Sequence, residues 1–327
     1  MTWALAFGIV AVLFVFVCGA NDGATLLGLG LRFPQTSGIF TLVALLVCLV
    51  AVPLLFGVAV ADTFTERLAD FATTQGAAAF LVGVAVSLAV VAVLAWQGLP
   101  TSLTLALIGG IAGAGLGAGL EVTWSEVGRV LAIGAVTPVI GGGLAYLLGM
   151  ASRRIPTWLG MQRGRRVAHL VAYTAQCVAY AANDGQKMIA VAAVAITVGR
   201  ERGIGDVGPV TVSVGMLVVV AVVFGIGALG SLFRVGERLG RGLVLTRPLH
   251  VVSTETAAAS AVLASAGLGV PVSMSQSIAA GVVGVAATEG HRRIRWQNVV
   301  NIVAAWVFTL PSSLGVGALA GLGVRLL

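Results

Sequence analysis

Charged side chains are scarce in this chain. Only 9% of its 327 residues are Asp, Glu, Lys or Arg, whereas 58% are apolar and the mean hydropathy is +1.05. Soluble domains carry about 25% charged residues. The composition and several apolar runs of membrane length therefore exclude a soluble globular protein and predict a multi-pass protein of the plasma (inner) membrane, with the lipid bilayer as its solvent.

Other absences exclude further classes of protein. The three cysteines, Cys18, Cys48 and Cys177, lie in separate apolar runs, which excludes a disulfide framework or a zinc centre and favours a lipid-facing position or packing in the core. No Walker A sequence is present, so an ATP-driven pump is not expected. The first residues lack the basic region of a signal peptide, and we expect the first apolar run to be a mature span. The net charge of +7 comes from arginines between apolar runs, and it does not indicate a nucleic-acid partner.

Two short polar inserts interrupt apolar runs: GANDG at residues 19–23 and AANDG at residues 181–185. An aspartate, an amide and glycines inside a membrane-length segment are costly unless they have a function. These residue types also disfavour a regular helix. We therefore predict broken transmembrane helices, whose unwound backbone and carboxylates face a protein cavity. One break in each half of the chain is typical of a secondary transporter with internal repeats.

Four landmarks of the first half recur in order, between 162 and 173 residues later, in the second half. This spacing predicts one repeat at residues 1–150 and a second at 167–327, joined by a basic linker at 151–166. The paired landmarks are Asn21-Asp22 with Asn183-Asp184, Pro100 with Pro271, Trp124 with Trp296, and Pro138 with Pro311.

The charges suggest how the two repeats lie in the membrane. Prolines cut the apolar segments 77–118 and 249–288 near their middles, so we predict two re-entrant hairpins and three full crossings in each half, with the halves inverted. If both termini are outside, 13 of the 18 arginines, including those of the linker, are inside, and seven of the 12 acids are outside. This arrangement follows the positive-inside rule and makes the linker cytoplasmic.

The repeated aspartates, Asp22 and Asp184, are expected to approach each other near the midplane. A carboxylate there either coordinates a cation or carries a proton, and unwound carbonyls beside it would complete an oxygen cage for Na⁺. The alternative is that each aspartate only caps the half-helix that follows it. Glu255, between two threonines in the approach to the second hairpin, is a third candidate for the coupling cation.

Lys187 is the only lysine in the chain, and it follows Asp184 by three residues. It is either the ion-pair partner of Asp184 or a cation next to an anion site. Both hairpin tips carry hydroxyls after a proline, and two half-helix N-termini there would form an anion site, although ordinary capping is the alternative. The hydroxyl residues in question are Ser102 and Thr104 in the first tip and Ser273 and Ser275 in the second.

These motifs resemble those of the inorganic phosphate transporter (PiT) family. Its Gly-Ala-Asn-Asp motif matches residues 19–22, and its second motif, which continues to Gln-Lys, matches residues 182–187. Its Pro-Val-Ser-Thr-Thr-His hairpins match in part at Pro100, Ser102 and Thr104 and at residues 271–273 and 275. The closing stretch 296–311 is also similar. The chain departs from the family at Thr25, Leu103, Leu105, Met274 and Gln276.

The resemblance implies an all-α membrane protein, an inverted-repeat secondary transporter with broken helices and two re-entrant hairpins, usually a homodimer. It implies a symporter of inorganic phosphate coupled to Na⁺ or H⁺, with no enzymatic activity and no cofactor apart from a bound Na⁺. The matched motifs add Asn21, Asn183 and Gln186 to the substrate-binding residues. Sulfate is the alternative substrate within the family. An anion channel and a non-transporting membrane receptor are the alternatives from other classes.

Overall fold

The computed structural model describes residues 2–33, 36–71, 75–96, 101–154, 162–201, 210–242, 248–290, 292 and 294–326. Within these ranges the secondary structure is helical, apart from one isolated antiparallel bridge between Ala69 and Val122. The α-helices in chain order are α1 (Thr2–Cys18), α2 (Ala24–Gly30), α3 (Gly38–Phe56), α4 (Ala59–Asp62), α5 (Gly76–Trp96), α6 (Leu103–Ala118), α7 (Trp124–Ser152), α8 (Gln162–Ala182), α9 (Gln186–Glu201), α10 (Val214–Gly242), α11 (Pro248–Gly267), α12 (Met274–Thr288) and α13 (Trp296–Leu322).

Six helical stretches in the described part of the chain are long and apolar enough to cross a membrane. They confirm the predicted multi-pass, all-α membrane protein. The helix that leads to the second polar insert, α8, is not among them, because it starts with a basic segment and carries buried polar side chains such as His169 and Gln176. The six stretches are Trp3–Gly30, Gly38–Phe56, Gly76–Trp96, Trp124–Ser152, Val214–Leu232 and Trp296–Leu326.

The two polar inserts have different backbone structures. Residues 183–185 form a turn between α8 and α9, which is the expected break. Gly19–Gly23 is instead a π-helical turn that connects α1 to α2 without unwinding. A π turn widens the helix but still pairs its backbone groups, here Ala24 N–H with the carbonyl of Gly19, so no group is left unpaired in an apolar environment. The expectation of unwound backbone at the first insert is thereby corrected.

Two helix pairs occupy the predicted hairpin segments. Helix α5 packs against α6, and α11 packs against α12. Ser102 is the N-cap of α6 and Ser273 is the N-cap of α12, so the hydroxyl residues lie at helix N-termini as expected. Gly269, with φ of +67°, turns the chain after α11, a conformation that other residues adopt only with strain. Pro100 lies outside the described residues, and the re-entrant path of both pairs stays a prediction.

Packing between the two halves is reciprocal. Helix α1 contacts α10, while α8, its counterpart in the second half, contacts α3, the counterpart of α10. In the same way α6 packs against α13 and α12 packs against α7. Repeats related by a two-fold axis would produce this exchange of partners. The packing supports the inverted repeat and the division at the linker, which stay predictions. Helix α8 already begins at Gln162, so the last five linker residues are helical.

Small residues allow the helices of the two halves to approach closely. A Cβ atom built on Gly113 of α6 would lie 2.2 Å from the carbonyl oxygen of Leu314 on α13, and one on Gly117 would lie 2.1 Å from that of Ala318. Backbone contact at this range is typical of membrane helix pairs, where van der Waals packing replaces the hydrophobic effect. The three cysteines are free, as the sequence indicated, and of the two expected placements the structure shows burial in the core.

Gly113→Ala is expected to destabilise the protein by about 1–3 kcal/mol, because the added methyl group overlaps backbone atoms that cannot move independently. Gly134→Ala in α7 is the matched control, since a Cβ atom there meets nothing within 4 Å. The control should be neutral or stabilising. Thermal unfolding of both variants in detergent measures the difference, and equal midpoints would contradict the packing argument.

Candidate functional site

Asp22, Asp184 and Lys187 form a buried charged cluster between the two halves. Asp22 lies in the π turn, Asp184 in the turn after α8, and Lys187 in the first turn of α9. The Lys187 ammonium is 2.7 Å from Asp22 Oδ2 and 2.5 Å from Asp184 Oδ1. Each of these side chains is at most 2% exposed. The two aspartates therefore share one cation, the Lys187 ammonium, which the protein itself supplies.

Formal charge in this cluster does not sum to zero. Two carboxylates and one ammonium leave a charge of −1, enclosed where solvent does not screen it. The remaining Lys187 contact is with the hydroxyl of Thr104, at 3.4 Å. Of the two interpretations of Lys187, the structure shows the ion pair, and it extends the pair to both aspartates.

Asp184 also connects the cluster to both hairpin tips. The backbone N–H of Met274, the first residue of α12, donates to Asp184 Oδ2 at 3.0 Å, and the hydroxyl of Thr104 in α6 donates to Oδ1 at 2.9 Å. A helix N-terminus favours negative charge. Asp184 therefore acts as a capping carboxylate, but it caps a helix of the hairpin and not the helix that follows it in sequence.

Asp22 has an equally polar environment. It accepts hydrogen bonds at Oδ1 from the hydroxyl of Ser275 and from the side-chain amide of Asn21, both at 2.9 Å. The Ser273 hydroxyl lies 3.3 Å from that of Ser275. Ser102 is buried, and its hydroxyl accepts from Leu105 N–H at 3.3 Å, which is ordinary capping. Thr104 and Ser275 are thus the tip hydroxyls that touch the aspartates.

Asn183 uses its side chain to hold the second tip in place. Its amide nitrogen donates to the carbonyl of Val270 at 2.8 Å, and its oxygen accepts from Val272 N–H at 2.9 Å. These two hydrogen bonds hold the backbone on both sides of Pro271. The side-chain amide of Asn183 therefore positions the tip and does not face the cluster.

The side-chain amide of Gln186 likewise binds backbone groups, here mainly those around the start of α4. Its oxygen accepts from the N–H groups of Val60 and Ala61, at 2.9 and 3.0 Å, and its nitrogen donates to the carbonyls of Gly57 and Ala182. Four hydrogen bonds use the full capacity of the amide. Gln186 therefore anchors the start of α4 to α9 and has no free donor for a substrate.

Glu255 lies in a second polar site. Its Oε2 is 2.9 Å from Nδ1 of His169 in α8, and both side chains are fully buried. Sequence reasoning did not select His169, although a histidine in an otherwise apolar helical segment is a signal that could have been used. The structure thus does not join Glu255 to the two aspartates.

Within the described ranges, no three or more His, Cys, Asp or Glu side chains come together as a metal site. A Na⁺ ion at the aspartates would therefore need hydroxyl or carbonyl oxygens as well, and Thr104 and Ser275 supply hydroxyls there. A separate cavity of about 280 Å³ lies between α7, α12 and α13 and includes Gly142, Val283 and Trp306 in its walls. Its walls are apolar, which makes it unsuitable for an anion.

Lys187→Gln is expected to destabilise the protein by about 3–5 kcal/mol, because it leaves two buried carboxylates without a counter-ion. The double variant Lys187→Gln/Asp184→Asn restores the formal charge of −1 and should recover much of the loss. Arg129→Gln is the control, since it removes a partly exposed pair with Glu126 and one exposed hydrogen bond to the carbonyl of Leu268, and it should change little. Thermal unfolding in detergent tests this, and a double variant no more stable than the single one would contradict the charge argument.

Comparison with known proteins agrees with the geometry. The profile of the phosphate transporter family matches residues 18–170 and again residues 160–317. A probable low-affinity inorganic phosphate transporter of Rhizobium meliloti (strain 1021) is 28% identical over 330 residues, which cover 95% of this chain and 93% of the relative. A protein of the same description from Mycobacterium bovis (strain ATCC BAA-935 / AF2122/97) is 30% identical, over 95% of this chain and 75% of the relative.

A solved structure, "The sodium-dependent phosphate transporter", superimposes on all of this chain with a TM-score of 0.82 at 16% identity, which shows a shared fold. The matches confirm the resemblance found in the sequence and the expectation of a transporter and not an enzyme. With nearly the whole chain covered by the family profile, the chain belongs to the phosphate transporter family.

Proposed function

We propose that the protein is a cation-coupled symporter of inorganic phosphate. Family membership and the description of its relatives as inorganic phosphate transporters support the substrate. The observation that carries the coupling is the buried cluster of two aspartates and one lysine, with its formal charge of −1, at the N-termini of two helices. Sulfate, another tetrahedral oxyanion, is the second candidate.

Coupling follows from the sign of the charge in the cluster. Two like unit charges 4 Å apart repel by about 4 kcal/mol at an effective dielectric constant of 20. A phosphate anion next to this cluster meets that repulsion, and the two helix dipoles offset only part of it. A Na⁺ ion or a proton on the aspartates removes the excess charge. The anion is therefore expected to bind well only together with a cation.

A cation at the aspartates also changes what Lys187 can do. In the structure its ammonium is held by both carboxylates. Protonation of either carboxylate, or its coordination to Na⁺, weakens that attraction and frees an N–H donor. We propose that Lys187 then turns to phosphate, while Ser102, Ser273 and the backbone N–H groups of the tips hold the other phosphate oxygens.

Uptake into liposomes tests the function and separates it from its alternatives. Labelled phosphate should accumulate under a Na⁺ or an H⁺ gradient and saturate with concentration. If sulfate accumulates in preference to phosphate, the transported anion is sulfate. Flux without accumulation would indicate a channel, and binding without flux would indicate a receptor. Both last outcomes would overturn the symporter.

Asp22→Asn is expected to lower gradient-driven uptake at least tenfold, because the substituted amide neither takes up a proton nor offers a negative charge to Na⁺. Glu121→Gln is the matched control, since Glu121 is exposed and lies outside the cluster. The control should transport as the wild type does. Wild-type cation dependence in Asp22→Asn would show that the coupling cation binds elsewhere.

The proposed orientation places the linker at 151–166 in the cytoplasm. Gly164→Cys is suited to test it, because residue 164 is exposed and a side chain there meets open space, whereas the three native cysteines are buried. A membrane-impermeant thiol reagent should label this cysteine only after the cells are opened. Labelling in intact cells would show that the linker lies outside and that the proposed orientation is wrong. The homodimer stays an expectation of the family resemblance.

A further inference from the structure

The His169–Glu255 pair joins α8 to α11 and takes no part in the proposed phosphate site. Nδ1 of His169 contacts the carboxylate, and the imidazole ring stacks on Phe33 with centroids 4.4 Å apart. Both side chains are buried, yet Nε2 of His169 and Oε1 of Glu255 have no hydrogen-bond partner. Two groups that can hold a proton are thus buried side by side, each with one free polar atom.

The pair is the first member of a polar row along one face of α8. His169, Tyr173, Gln176 and Tyr180 follow one another at intervals of four, three and four residues, which places them on the same side of a helix. All four are completely buried. Tyr180 then faces Asp22, so the row ends at the charged cluster.

Several polar atoms of this row have no partner. Both side-chain amide atoms of Gln176 are buried without a hydrogen bond, and so is the hydroxyl of Tyr180. Native proteins rarely leave buried polar atoms unpaired, and internal water molecules commonly satisfy such atoms. Tyr173 is different, because its hydroxyl donates to the carbonyl of Thr41 at 2.9 Å.

The row has the length and direction of half a membrane crossing. From His169 to Tyr180 is a rise of about 16 Å along the helix, and the apolar part of a bilayer is about 30 Å thick. Helix α8 starts with Arg163, Arg165 and Arg166, which the proposed topology places on the inner side. The row therefore leads from the cluster towards the cytoplasmic end of α8.

We propose that this face of α8 is a proton path. The His169–Glu255 pair exchanges a proton with the inner side, waters held by Gln176 extend the path, and the hydroxyl of Tyr180 links those waters to Asp22. On release, the carboxyl group of Asp22 gives its proton to the Tyr180 oxygen as the hydroxyl passes its own proton to water. The water chain delivers one proton to the pair, and no electrons move. The proposal rests on the proposed symport and makes H⁺ a coupling ion.

The surroundings of the pair suit a group that gains and loses a proton. In the described part of the chain, His169 interacts with Glu255 both by a hydrogen bond and electrostatically. Tyr173 and Cys177 on α8 also interact with Glu255, and both are ordinarily neutral at physiological pH. Glu255 and the imidazole of His169 therefore remain as the groups that hold the proton here.

The test uses the full chain in liposomes with two measurements of phosphate movement. The first is exchange of labelled for unlabelled phosphate at equal pH, in which the carrier crosses with its proton still bound. The second is accumulation driven by a gradient of one pH unit without Na⁺, together with proton entry reported by an internal pH dye. If one proton crosses with each phosphate ion, a gradient of one pH unit supports up to about tenfold accumulation of phosphate.

His169→Gln and Tyr180→Phe are expected to exchange phosphate while losing both the accumulation and the proton entry, because neither variant can pass the proton to the inner side. Thr174→Val, on the exposed face of the same helix, is the control and should behave as the wild type. Tyr180→Phe keeps the ring in place, and it decides the outcome if His169→Gln does not fold.

Three results would overturn the proton path and leave phosphate symport intact. They are wild-type accumulation that depends on Na⁺ alone, normal pH-driven accumulation in Tyr180→Phe, and normal accumulation in a folded His169→Gln. Absence of any phosphate movement in the wild type would instead overturn the proposed function itself.

Discussion

The contact of Lys187 with Asp22 and Asp184 is the interaction on which the rest of the structure depends. Three buried charges in the interior of a membrane protein are tolerated only if they satisfy one another. Asp22 comes from the first half of the chain, and the other two residues come from the second. The cluster therefore forms only when the halves are docked, and docking in turn encloses the charges.

Helix ends complete what the ion pairs leave unsatisfied. The first N–H of α12 binds Asp184, and hydroxyls from α6 and α12 bind both carboxylates. Because these groups lie at helix N-termini, their dipoles favour the negative charge that remains. The same features that stabilise the carboxylates would stabilise an anionic substrate. In the proposed symport, the aspartates occupy this environment until a cation neutralises them and makes it available to the anion.

Close backbone packing brings the polar residues to this position. Gly19 and Gly23 allow α10 to lie directly against the π turn, since a Cβ atom on Gly19 would be 2.0 Å from the carbonyl oxygen of Phe224. On the opposite side, glycines of α6 lie against the backbone of α13. Small residues at these helix contacts let the backbones approach closely. As a result, short side chains such as Thr104 and Ser275 can reach across from one half to the other.

The sequence alone determined the membrane class, the family, the two aspartates and the hydroxyl positions at the helix N-termini, because each depends on composition or on local residue chemistry. Only the tertiary structure decided which partners these groups take. Asn183 and Gln186 bind backbone 89 and 126 residues away, and Asp184 caps a helix 90 residues further along. His169 pairs with Glu255 across 86 residues. An amide or carboxylate has the same chemistry in any sequence, and whether it faces a substrate, a backbone or another side chain depends on long-range packing that no local pattern encodes.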